Sequence, residues 1–94
     1  MKDILMFYLD DCGYCHKAFR AMDELFAENP AWRALKITKI EESLDPETAE
    51  RYDYYAVPTF YVDGEKRFEA RIGMSYEMIR DAVRSVFDYA AGNG

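Results

Sequence analysis

Ile4 to Leu9 is an unbroken run of six apolar residues, closed by Asp10 and Asp11. A run this short and this apolar predicts a strand buried on both faces. Such a strand needs cover from both sides. In a chain of 94 residues that points to one layered α/β domain, residues 1–94, with Ala91 to Gly94 as a frayed tail.

The next segment changes period. Cys15, Ala18, Phe19, Met22, Leu25 and Phe26 recur at helical spacing, and Asn29-Pro30 closes the helix. Leu35 to Ile40 is a second strand. Asp45-Pro46-Glu47 opens a short helix, with Asp45 as cap and Pro46 in the first turn, reaching about Tyr52. Thr59 to Val62 is a third strand, and Asp63-Gly64 is a two-residue hairpin signal. Lys66 to Ile72 returns, with Phe68, Ala70 and Ile72 alternating onto one face. Gly73 breaks that pattern. Ser75 caps a last helix with the stripe Met78, Ile79, Ala82, Val83, Val86 and Phe87.

The order is β-α-β-α-β-β-α. It predicts a four-stranded mixed sheet with helices on both faces. The first three strands are expected to run parallel and the fourth antiparallel through the hairpin.

Composition narrows the function. The net charge of -6 opposes nucleic-acid and anionic-membrane partners, which both need clustered Lys and Arg. No apolar run is long enough to cross a bilayer. At the N-terminus Lys2 is offset by Asp3 and no small-residue cleavage site follows, so the start reads as a strand and the protein as cytoplasmic.

The two cysteines sit within Cys12-Gly13-Tyr14-Cys15. A loop that short gains little from closure, so the pair is reactive or metal-binding rather than a staple. It opens a helix, where unpaired N–H groups and the dipole favour a thiolate, the attacking form. Cys12, near the N-cap, is the expected nucleophile. Cys15, one turn inside, is the expected resolving thiol. Tyr14 is assigned to the substrate surface, and Gly13, Asp11 and His16 to tuning the redox behaviour. No cofactor is required beyond a redox-active Cys12–Cys15 disulfide.

Other readings of the pair stay open. Zinc wants four ligands, whereas the chain has two Cys and one His; no metal site is assigned. Cys12-Gly13-Tyr14-Cys15-His16 also matches the Cys-x-x-Cys-His pattern of covalent haem attachment, against which stand the absent export signal and the strand-rich plan. A binding module that keeps the pair without turnover is the alternative of a different class.

Taken with the rest of the chain, the motif resembles the thioredoxin–glutaredoxin superfamily. About 40 residues after the cysteines comes Ala56-Val57-Pro58-Thr59, similar to that family's cis-proline loop. Phe60-Tyr61-Val62-Asp63-Gly64-Glu65 resembles the opening of its hairpin, and Gly73 before a capped helix completes the match. The resemblance implies a thioredoxin-like fold in a minimal, glutaredoxin-sized form, and disulfide reduction of protein substrates by a monomer. It implies a cis Pro58 beside the dithiol and a Val57 backbone that pairs with extended substrate. It implies a groove rim built by Tyr14, Tyr55 and Met74. Electrons would come from a thioredoxin-reductase-like flavoprotein or from glutathione.

There are departures from the family. Thioredoxins begin with an extra strand and helix and carry Trp-Cys-Gly-Pro-Cys; here Asp11 stands in place of the Trp. They also carry a buried Asp on the strand before the motif, where this chain has Met6. Glutaredoxins often carry Cys-Pro-Tyr-Cys, which Tyr14 approaches, and a glutathione-dependent glutaredoxin is the alternative activity. Their Gly-Gly element is reduced here to Gly73, with Ser75 following. Asp10 and Asp11 oppose the binding of anionic glutathione and the charging of a nearby thiol.

Overall fold

The computed structural model describes residues 1–92. Its elements are β1 (Ile4–Tyr8), α1 (Gly13–Glu28), a short 3-10 helix (Pro30–Ala34), β2 (Ile37–Glu41), α2 (Pro46–Glu50), β3 (Thr59–Val62), β4 (Glu65–Glu69) and α3 (Tyr76–Ala90). The four strands form one sheet in the order β2-β1-β3-β4, with β1 inside it. Ile4 pairs in parallel with Ile37 and antiparallel with Val62.

That second pairing corrects the expectation that β1 and β3 run parallel. A parallel return needs a crossover that travels back along the sheet. α2 has five residues, a rise of about 7 Å, and is too short for that journey. The chain leaves β2 at Glu41, stays at the same end of the sheet, and enters β3 at Thr59 beside Phe7.

Alternation along β1 divides the core. Ile4 and Met6 pack with Phe60 and Val62 against α1 and α3. Those helices present Ala18, Met22 and Leu25, and Ile79, Val83, Val86 and Phe87. Phe7 points to the other face. It stacks on Tyr54 at 4.7 Å and lies 5.1 Å from Tyr52, with Tyr61 edge-on at 6.1 Å. The segment of α2 and the tyrosines after it therefore cover the second face.

Local signals in the sequence explain the element ends. Asp45 accepts from the Thr48 N–H at 3.2 Å, and Ser75 accepts from the Met78 N–H at 3.1 Å, so both caps satisfy donors that a helix start leaves free. Asp63 and Gly64 both adopt positive φ, 49° and 83°, as a tight hairpin requires. The 3-10 turn after Pro30 has no counterpart among the expected elements; it inserts Trp32 into the core, edge-on to Phe87 at 5.7 Å.

Two other expectations are corrected. β4 stops at Glu69, so Ile72 does not share a face with Phe68 and Ala70; it is 97% exposed. A turn from Arg71 to Met74 ends the alternation, with Gly73 at φ 91°. Met78 lies at the edge of the α3 stripe and is half exposed, because Ile79, Val83, Val86, Phe87 and Ala90 already fill the buried face. Ala91 and Gly92 carry the closing hydrogen bonds of α3 to Phe87 and Tyr89; of the tail expected at Ala91 to Gly94, Asn93 and Gly94 lie outside the described residues. Among the described residues no helix is long and apolar enough to cross a membrane.

Candidate active site

Cys12 caps α1. Its φ and ψ of -95° and 118° are extended, and its Sγ accepts from the Cys15 N–H at 3.2 Å. That is the place of a Ser or Asp cap, filled by sulfur, and it aims a backbone donor at the atom that would carry negative charge. On its other side the Cys12 thiol donates to the Val57 carbonyl oxygen at 3.7 Å. Cys12 is partly exposed, whereas Cys15, on the inward face of the same turn, is fully buried; both are free thiols. Burial above all pushes the Cys15 thiol up to about 12, and its hydrogen bond with Cys12 and the charge of Glu42 act in the same direction. One sulfur is reachable and the other is held protonated beneath it.

The loop facing Cys12 is secured from β4. The Val57–Pro58 peptide is cis, and the Pro58 carbonyl accepts from the Ala70 N–H at 3.0 Å. The Glu69 carboxylate takes the N–H groups of Tyr55 and Ala56 at 2.5 and 2.8 Å. Lys66 Nζ reaches Glu69 at 2.8 Å and the Asp53 carbonyl at 3.1 Å. The buried Thr59 hydroxyl closes the loop on the Ala56 carbonyl at 2.5 Å. Burial alone would raise the Glu69 carboxyl, but Lys66 and the two backbone donors outweigh it and hold it below the ordinary range. Neither Glu69 nor Thr59 stands out in the sequence as a site residue. The one signal available is their pairing across the hairpin, Thr59 opposite Glu69.

The third wall is the turn after β4. The Tyr14 hydroxyl accepts from the Gly73 N–H at 2.7 Å, so a residue between the cysteines is tied to this turn. Met74 is not a rim residue as expected. It is buried, and its sulfur accepts from the Arg71 N–H at 3.3 Å. Ile72 is the exposed apolar residue of the turn, and Tyr55, 92% exposed, stands on the opposite loop.

The site thus brings together Cys12, Cys15, Tyr14, Val57 and Pro58. Gly13 faces open space and Asp11 is exposed. His16 donates from Nε2 to the Asp10 carbonyl, and no hydrogen bond links it or Asp11 to either sulfur among the described residues. Met6, where a thioredoxin would carry an acid, is fully buried in the apolar core. Among the described residues, no three His, Cys, Asp or Glu side chains gather as a metal site would need.

A mixed sheet ordered β2-β1-β3-β4, a Cys-capped helix after β1 and a cis-proline loop before β3 define a thioredoxin-like fold. Solved structures agree on the architecture. The thioredoxin of Fasciola hepatica superposes with a TM-score of 0.58 at 23% identity, covering 89% of this chain and 79% of that one. A mutant thioredoxin from Halobacterium salinarum gives 0.56 at 23%, covering 89% and 73%. Zinc-bound human ERp44 gives 0.57 at 20%, with 92% of this chain matching 26% of that protein. No protein-family model and no curated protein matches the sequence.

Proposed function

We propose that this protein is a thiol–disulfide oxidoreductase that reduces protein disulfides through Cys12 and Cys15. The observation that carries the reading is the unequal pair: a partly exposed sulfur at a helix N-cap, and a fully buried one a single turn inside. Cys12, as thiolate, attacks one sulfur of the substrate disulfide. That S–S bond breaks, the first substrate thiolate leaves, and a Cys12–substrate mixed disulfide forms. Cys15 then gives its proton to the departing substrate thiolate or to water and attacks Cys12 Sγ. The mixed disulfide breaks, the second substrate thiolate leaves, and a Cys12–Cys15 disulfide remains, two electrons having passed to the substrate.

The Val57 backbone beside Cys12 is suited to pair with an extended segment around the target cysteine. A flavoprotein dithiol reductase or glutathione restores the dithiol, and such a reductase belongs in a reducing compartment such as the cytoplasm. The test is insulin reduction in the presence of dithiothreitol. Wild type accelerates it and Cys12→Ser abolishes the acceleration; pre-reduced Cys15→Ser, freed of dithiothreitol and then mixed with insulin, accumulates mixed disulfides visible on non-reducing gels. Full activity in Cys12→Ser sinks the assignment.

A further inference from the structure

On the sheet face opposite α1, a groove of about 360 Å³ opens between α2 and the segment that leads to the cis-proline loop. Its walls include Glu42, Glu50, Tyr52, Tyr54 and Tyr55, and no Lys or Arg lines it.

Two of its aromatic walls are packed against other rings. Tyr54 is stacked on Phe7, and Tyr52 lies 4.9 Å from Tyr61. The Tyr54 hydroxyl donates to Glu42 Oε1 at 2.8 Å, which fixes that carboxylate and leaves its other oxygen free of this bond. Tyr55 projects into solvent while its backbone is anchored on Glu69. Neighbouring cations are committed or lie outside the lining: Lys66 is bonded to Glu69 and Asp53, and Arg51 caps the far end of α2. Aromatic rings and carboxylates together in a concave site favour a cation and repel an anion.

The groove also lies within reach of the chemistry. Tyr55 is two residues from Val57, whose carbonyl touches Cys12. Two residues span at most about 7 Å even when fully extended, and this segment is bent. A polypeptide paired with Val57 would therefore bring a side chain a few positions from its reactive cysteine over Tyr55.

We propose that this groove receives a lysine or arginine side chain of the substrate polypeptide, close in sequence to the cysteine that Cys12 attacks. The inference rests on the oxidoreductase reading for its substrate, but the groove can be tested without turnover. Two disulfide-linked peptides, identical except for Arg or Glu three residues from the cysteine, serve as substrates. With wild type, kcat/KM is expected to favour the Arg peptide by on the order of tenfold, a preference that shrinks with added salt. In Glu50→Gln and in Tyr55→Ala the ratio should fall towards one. Separately, the Cys12→Ser/Cys15→Ser protein is titrated with each peptide in its reduced, capped form, following the backbone amides of Tyr52 to Tyr55 by NMR. Arg-selective shifts there support the groove even if neither peptide is reduced, in which case the oxidoreductase reading alone falls. Equal binding of the two peptides, or an Arg preference that survives in both single variants, overturns the groove.

Discussion

Cys12 Sγ lies 3.7 Å from the carbonyl oxygen of Val57, across 45 positions of sequence. This contact joins the start of α1 to the loop before β3. The same sulfur accepts the Cys15 N–H, so it is positioned by backbone groups from both sides. Small changes in either element therefore act on the reactive atom.

The buried thiol should impose a pH dependence. Burial, chiefly, pushes Cys15 up to about 12 from an ordinary 9.0, and only its thiolate attacks. Below that value the thiolate fraction rises about tenfold per pH unit, so release from a Cys12 mixed disulfide should quicken between neutral and mildly alkaline pH. Stopped-flow measurement of that step checks it; a flat profile contradicts it. The linked effect on stability has the opposite sense. The folded state holds the proton more tightly than the unfolded one. The contribution is therefore complete below 9.0 and is lost as pH rises towards 12. Denaturation midpoints should fall over that range more in wild type than in Cys15→Ala.

Tyr14→Phe removes the acceptor of the Gly73 N–H. The expected cost is about 0.5–1.5 kcal/mol, with faster hydrogen exchange at the Gly73 amide and little change elsewhere in α1. Unchanged exchange at Gly73 would show that the hydroxyl does not hold the turn in solution.

Glu69→Ala strips the Tyr55 and Ala56 N–H groups and Lys66 of a shared partner. It should destabilise the protein by about 1–3 kcal/mol and slow the attack of Cys12 on peptide disulfides by loosening the Val57 loop. Because the Glu69 carboxyl is held below its ordinary 4.5, its contribution is complete above that value and disappears as pH falls through the folded one. Urea titrations at pH 7 and pH 3 should give a wild-type advantage at the first and a smaller one at the second.

Phe7→Ala empties the centre of the second face, where Phe7 meets Tyr52, Tyr54 and Tyr61. A fully buried Phe is worth about 3–5 kcal/mol, and chemical denaturation should register a loss of that size. Phe7→Leu should lose much less. Equal losses would mean that filling the volume without the ring restores nothing.

Much of this was legible in sequence wherever the signal was local. Asp45, Ser75 and the Asp63-Gly64 turn act through their own backbone neighbours, and each does what its residue type predicts. The dithiol could be placed at a helix start because the apolar strand before it and the helical period after it leave one place for the junction. Non-local facts were hidden. Strand direction depends on which end of the sheet the connection through α2 returns to, and the cap and proline that mark the start of α2 act only on their own neighbours. Alternation assigns a face only while a strand continues, which is why Ile72 and Met74 exchange inside and outside once Gly73 turns the chain. Glu69 reads as one more charge on an edge strand until β3 brings the Tyr55–Val57 loop beside it.

The central place of β1 ties the first strand to the last helix. Its neighbours in the sheet are β2 and β3, and the cluster that covers its Ile4 and Met6 draws on α1 through Ala18, Met22 and Leu25 and on α3 through Ile79, Val83 and Phe87. The Lys2 N–H even completes its hydrogen bond on the Ala90 carbonyl, at 2.8 Å. Removing α3 would therefore take cover from the inner face of β1 and the acceptor from the Lys2 N–H before it at the same time.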